Sequence, residues 1–266
     1  MPFERIVSLK NERIKKIVAL RERKARDQEG WTVIDGLREL QMAAKAGIDV
    51  NEFYFCPDLI DKNILSSLLN DMDQKKVRVV EVTPSIFEKI NFGDRNEGIT
   101  AVVRQPQKKW DDIQLNRAPL LVIVEAVEKP GNLGAILRTC DAAGVDGLIV
   151  CDARTDVYNP NVIRASLGAV FTVPVVVSAN QEALNFLRRN AIQTVGTFPD
   201  AKGSYWQTDM TKPAAVLLGS EQNGLSEFWH KNADERIRVP MQGDVNSLNV
   251  SITAALVIYE SVRQRH

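Results

Sequence analysis

Short, nearly uninterrupted apolar runs at 120–124, 147–150, 173–177, 192–197, 214–218 and 236–239 recur through the second half of this 266-residue chain. Each is too short for a helix that closes on itself, and each is separated from the next by polar or helical sequence, as at 134–143, 181–189 and 248–262. A strand that is apolar on both faces must be covered on both, so the pattern predicts a parallel sheet sandwiched by helices, an α/β fold. Ligands of such sheets bind beyond the carboxyl ends of the strands. The loops that follow the strands are therefore where function is sought.

The first hundred residues alternate less regularly. Strand-like runs at 31–35, 53–56, 77–82 and 100–104 and helical runs at 37–46, 60–72 and 84–90 predict a smaller α/β domain. Between the halves, 107–118 carries a Lys108–Lys109 pair, two aspartates and no periodicity, and reads as a linker. The expected organisation is 1–106, linker 107–118 and 119–266.

Lys and Arg total 34 and so do Asp and Glu, a net charge of zero, but the balance is a cancellation. Residues 1–110 carry a net +3 and residues 111–266 a net −3. Between Arg5 and Arg26 nine basic residues face two acids, a net of +7. Leu9, Ile14, Ile17 and Val18 lie there at helical spacing, so the stretch is expected to form one amphipathic helix with a basic face suited to a polyanion. The alternative is a solvated face whose charges bind nothing.

Other classes are excluded by what is scarce. Two histidines, His230 and His266, leave little from which to build a His-based triad or a zinc site, so no metal is expected. Cys56, Cys140 and Cys151 sit in apolar surroundings and read as buried thiols. No apolar run approaches the roughly 20 residues of a membrane span, and Met1–Lys10 lacks a secretory signal. A cytoplasmic protein without a membrane partner is expected.

Three strand-end segments carry chemistry. After 120–124 comes Glu128-Lys129-Pro130-Gly131-Asn132-Leu133-Gly134, a turn into a helix that Asn132 could cap, with Arg138 inside that helix. No dinucleotide-binding Gly-x-Gly-x-x-Gly is present. After 214–218 comes Gly219-Ser220-Glu221-Gln222-Asn223-Gly224. There Glu221 is either a carboxylate at the ligand-facing strand end or a cap for a helix starting near Ser226. After 236–239 comes Asn246-Ser247-Leu248-Asn249-Val250-Ser251, which is either a functional polar alternation or a plain Ser N-cap.

In order and spacing these three segments resemble the motifs of the SpoU (TrmH-type) branch of the SPOUT RNA ribose methyltransferases, across roughly 120–260. The resemblance implies a C-terminal sheet domain threaded into a trefoil knot, and a homodimer whose active site borrows residues across the interface. It also implies S-adenosylmethionine as methyl donor, held by Gly219, Val239 and Leu248 with Thr197 at the neighbouring strand end. Its catalytic positions fall on Asn132, Arg138, Glu221, Ser247 and Asn249. One departure is that Glu128-Lys129-Pro130 replaces the common Asp-Pro. A further family-like segment, Asn159–Ala169, offers Arg164 as either a phosphate contact or a structural ion pair. More weakly, Ser8-Leu9-Lys10-Asn11, Trp31–Gly36 and Arg38-Glu39-Leu40 resemble the start of the small ribosomal-protein-type RNA-recognition domain of the ribosomal RNA members. Arg13, Lys16, Arg23 and Lys24 are its expected RNA contacts. The resemblance therefore implies 2′-O-methylation of 23S ribosomal RNA. The alternatives are a tRNA 2′-O-methyltransferase and a non-catalytic RNA-binding module of the same fold.

Overall fold

The computed structural model describes residues 3–93 and 96–266, and the chain folds into two compact units. One unit comprises residues 1–107 with 158–172, and the other comprises 108–157 with 173–266.

In the first unit the chain runs β1 (Glu4–Ile6), α1 (Glu12–Ala19), α2 (Arg23–Glu29), β2 (Trp31–Asp35), α3 (Leu37–Lys45), β3 (Val50–Phe55), α4 (Lys62–Gln74), β4 (Arg78–Val82), α5 (Pro84–Ile90) and β5 (Ile99–Arg104). The sheet order is β1-β4-β3-β5-β2, parallel through β1, β4 and β3 and antiparallel at β5 and β2. Ile14, Ile17, Val33, Tyr54, Val80, Ile86 and Phe87 meet in its core.

The single basic helix expected over 5–26 is not what forms. Its first residues pair as strand β1, and the rest divides into α1 and α2 around an extended Glu22. Arg26 explains the break. Its side chain is 1% exposed and donates to the carbonyls of Leu20 and Arg21 at 2.6 and 2.7 Å, satisfying groups that a helix end would otherwise leave bare. Other charges of the run are neutralised locally: Arg5 by Glu81, Lys15 by Glu12, and Arg23 by Asp27.

The second unit runs β6 (Leu120–Glu125), α6 (Pro130–Ala143) and β7 (Gly147–Cys151). The chain then contributes α7 (Pro160–Ala165) and α8 (Ala169–Thr172) to the first unit. It returns through β8 (Val175–Ser178), α9 (Asn180–Arg189), β9 (Gln193–Thr197), β10 (Gly203–Ser204), β11 (Ala214–Leu218), α10 (Glu227–Asn232), β12 (Glu235–Arg238) and α11 (Val250–Arg265). All seven strands are parallel, in the order β10-β12-β9-β11-β6-β7-β8. The continuous apolar runs follow from this. Leu121, Ile123, Ala215 and Leu217 face a core shared with Leu184 and Leu187 of α9 and Trp229 of α10. The alternating Val122, Val124 and Val216 are just as buried, on the side where α6 and α11 pack together.

The stretch before β6 is docked onto this unit. Trp110 stacks on Phe186 with ring centroids 4.5 Å apart, and Ile113 lies in the core. All three cysteines are buried and free. Burial pushes the Cys151 thiol up to about 12, so it is an inert core group.

Candidate active site

The carboxyl ends of β9, β11 and β12 lie side by side because β9 pairs with both of the others. Thr197 is level with Ile237, and Gly196 with Leu217. That register sets Thr197, Gly219 and Val239 along one rim. Thr197 donates its hydroxyl to the Leu217 carbonyl at 2.9 Å. At Gly219 the backbone doubles back so tightly that a Cβ would lie 2.0 Å from the Gly224 carbonyl carbon. A reciprocal pair of bonds between Ser220 and Gly224 closes that loop. Met241–Leu248 form an exposed loop whose backbone N–H groups make no hydrogen bond among the described residues.

Next to the rim, the turn leaving β6 is reshaped by Ala126, whose φ of 54° is uncommon for a residue with a Cβ. α6 then starts at Pro130 with Lys129 as its N-cap. Asn132 is thus not the cap that its position suggested. It sits in the first turn with its side chain directed out of the helix. Its Nδ2 donates to Glu221 Oε1 at 2.5 Å, and its Oδ1 accepts from Asn249 Nδ2 at 3.1 Å. Asn249 in turn is the N-cap of α11, and its Oδ1 accepts from the Ser251 backbone N–H at 2.9 Å and hydroxyl at 2.7 Å. A run of donors all pointing toward Glu221 fixes how both amides are oriented. The helix-capping role considered for serine in this segment therefore belongs to Asn249.

Glu221 caps no part of α10. Burial works to raise its carboxyl, but the Asn132 amide and the backbone N–H groups of Glu221, Glu128 and Lys129 outweigh it and hold the group below the usual range. The carboxylate thus fastens the Glu128-Lys129-Pro130 turn, where the Glu128 N–H approaches Oε2 at 3.3 Å. The Glu128 carbonyl is held from the other side by the Thr155 hydroxyl.

The structure thereby brings Asn132, Glu221 and Asn249 into one hydrogen-bonded chain that joins the three strand-end loops. Arg138 and Ser247 are outside it. Both are exposed, and neither makes a side-chain hydrogen bond or ion pair among the described residues. Val239 is half-buried just beyond β12, and Leu248 is exposed at the mouth of α11.

The chain matches the SpoU rRNA methylase family over residues 119–259, more than half its length. The chain belongs to the SpoU rRNA methylase family. Residues 11–101 also match the MRM3-like substrate-binding domain. A 23S rRNA (uridine(2479)-2′-O)-methyltransferase of Streptomyces viridochromogenes is 31% identical over 99% of this chain and 94% of its own. A 23S rRNA (guanosine-2′-O-)-methyltransferase RlmB of Vibrio parahaemolyticus is 33% identical over 76% of this chain and 84% of its own. The AdoMet-bound rRNA methyltransferase of Sinorhizobium meliloti has a similar structure, with a TM-score of 0.90 at 27% identity over 98% of each chain.

Sequence reasoning missed one buried element of this SpoU unit. Glu125, 4% exposed at the end of β6, accepts from the Ser226 backbone and hydroxyl at 2.7 Å and from Asn180 Nδ2, whose Oδ1 accepts from the Trp229 indole at 3.0 Å. The signal was an acid ending an otherwise apolar strand, a placement that demands partners.

The RNA-contact candidates of the first unit fare unequally. Lys16 and Lys24 are exposed with no ion pair among the described residues. Arg13 is engaged by Glu4 and reaches Glu52 at 3.9 Å, and Arg23 pairs with Asp27 at 3.4 Å. Arg164 is half-buried against Gly93.

Proposed function

We propose that this chain is an S-adenosylmethionine-dependent 2′-O-ribose methyltransferase of 23S ribosomal RNA, working as a homodimer in the cytoplasm. The observation that carries the reading is the Glu221–Asn132–Asn249 chain, which fastens three loops beside a rim of strand ends and leaves Arg138 free at the surface. Recognition falls to 1–106, with 158–172 packed into the same unit, and catalysis to the rest of 119–266, joined by 107–118; the family matches over 11–101 and 119–259 support that division. The knotted threading of 119–266 is part of the same reading.

The rim suits the methyl donor. Unengaged backbone N–H groups of Met241–Leu248 beside exposed Leu248 and half-buried Val239 combine donors with apolar surface, which is what a purine nucleoside needs. Thr197, Gly219, Val239 and Leu248 would hold it. When bound, it supplies an electrophilic methyl group on a sulfonium.

Methyl transfer to a ribose hydroxyl is an in-line displacement, so the chain's main task is alignment. The guanidinium of Arg138 is a fixed cation that can grip the phosphate next to the target ribose bidentately and stabilise the developing alkoxide. Ser247, on the exposed loop, contacts the ribose. Asn132 and Asn249, locked by Glu221, hold the loops that present these groups. A second copy completes the assembly along α11, where Ile252 (51% exposed) and Tyr259 (48%) lie two turns apart on one face, with Leu248 (37%) just before the helix.

The test is to incubate the protein and labelled S-adenosylmethionine with unmethylated 23S RNA and, separately, tRNA. Arg138→Ala is expected to lower transfer by about 10²–10³-fold, the cost of losing one donor to a developing oxyanion. Absence of transfer to RNA, or full activity in Arg138→Ala, overturns the reading.

A further inference from the structure

Burial decides which cation of the first unit faces outward. Arg164 turns inward: a Cβ on Gly93 would fall 1.0 Å from its Nη1, and its charge acts on the buried Asp35 carboxyl. Arg21 is exposed, although its charge also reaches Asp35. Its Nη2 donates to the Lys89 and Asn91 carbonyls at 2.8 and 2.9 Å, and its guanidinium lies over the Phe92 ring at 4.8 Å. Nε and Nη1 remain without a partner among the described residues. The turn beneath is held fast, because the Phe92 N–H donates to Asp35 Oδ2 at 2.6 Å and Asn91 Nδ2 donates to the Gly93 carbonyl at 2.8 Å.

These groups wall an open cleft of about 420 Å³ that belongs wholly to this unit and is lined by Arg21, Asn91, Phe92, Gly93, Asn159, Pro160 and Asn161. Among the described residues Arg21 is the one charge in that lining. One preorganised cation stacked on an aromatic ring, with the exposed Asn161 carboxamide beside the N-cap Asn159, forms a set of groups matched to a nucleotide. A guanidinium grips phosphate, a ring offers a stacking surface, and a carboxamide both donates to and accepts from a base edge. An acidic peptide would meet a single cation among the described lining residues and leave the Asn161 carboxamide without a role. A duplex presents no single base to a cleft of this size.

We propose that the cleft receives one unstacked nucleotide of the RNA substrate, its phosphate on the Nε and Nη1 edge of Arg21, its base against the Arg21–Phe92 stack and its edge read by the Asn161 carboxamide. The proposal rests on the RNA-methyltransferase reading and adds a specificity site in the first unit, apart from the catalytic loops of the second. Arg21 also braces the turn, so a second variant is needed. Asn161 is exposed, its backbone N–H donates to Asn159 Oδ1, and its side chain makes no hydrogen bond among the described residues. Arg21→Gln and Asn161→Asp are compared with wild type for KM toward a 23S RNA fragment, for direct RNA affinity, and for S-adenosylmethionine affinity by calorimetry. Both variants are expected to raise KM and weaken RNA binding about tenfold. Arg21→Gln should also lower the salt slope of binding by about 1, and cofactor affinity should not move. Wild-type RNA affinity in both variants overturns the cleft assignment while leaving the function intact. Failure of the wild type to transfer methyl overturns the functional reading, and RNA affinity still judges the cleft.

Discussion

Glu221 shows how one side chain can hold several loops at once. Four donors converge on it, and it pairs with no cation among the described residues. Glu221→Gln would turn an NH₂ group toward one of those donors and is expected to cost about 1.5–3 kcal/mol, the range for hydrogen bonds to a charged group. It should also depress methyl transfer, with urea unfolding and turnover measured on the same preparation. Because the folded-state carboxyl sits below its ordinary range, its stabilisation is present at neutral pH. It is lost as pH falls through that depressed value. Asp35 has the opposite sign. Burial raises it to about 6, against the Phe92 N–H, the Thr100 hydroxyl and the charges of Arg164 and Arg21. Between about pH 4 and 6 the folded chain keeps a proton that the unfolded chain has released, so the Asp35 contribution to stability declines by about 3 kcal/mol as pH rises to 7. An NMR titration of this carboxyl should give a midpoint near 6. A midpoint near 4 would show that its burial is not maintained in solution. Neither behaviour could be read from the sequence, because both arise from residues far apart in the chain, Asp35 with Thr100 and Glu221 with Asn132.

At the scale of elements, strands were the most legible. Trp31–Asp35 and Ala214–Leu218 fall where alternation and apolar runs put them, because a buried strand declares itself in a few consecutive residues. The basic run misled because charge density says nothing about continuity, and the break at Glu22 depends on a buried Arg26. Helix starts were also ambiguous. Pro130 opens α6, and Asn132, though of capping type, is used to cross-link loops. The bend at Gly219 is the most stringent element-level constraint. Gly219→Ala would press a methyl group into the Gly224–Leu225 backbone, which cannot swing aside as a side chain can. A loss of about 3 kcal/mol or more is expected in urea unfolding, at the upper end of overpacking costs. An unchanged midpoint would mean that this loop is looser than the structure shows.

At the scale of the whole molecule, the exposed apolar line along Leu248, Ile252 and Tyr259 is the feature a lone chain does not explain. Ile252→Glu with Tyr259→Glu is expected to shift the protein from dimer to monomer in sedimentation equilibrium and to reduce methyl transfer. A wild-type chain that sediments as a monomer would remove the homodimer from the functional reading. The neutral total charge belongs to this scale too. It conceals a basic N-terminal region, yet ion pairs such as Arg5 with Glu81 and Arg23 with Asp27 already spend part of that excess within the fold. RNA affinity should therefore depend on a few cations that make no ion pair among the described residues, Lys16, Lys24 and Arg21 among them, with a correspondingly shallow salt dependence. By itself the sequence determined the parallel α/β architecture and the three loops that make up the candidate site, since both are written in local runs and local spacing. Only the tertiary structure decided that Asn132, Glu221 and Asn249 form one chain, and that Arg164 turns inward where Arg21 turns out. Hydrogen-bond partnership and burial depend on distances between segments that the order of residues leaves open.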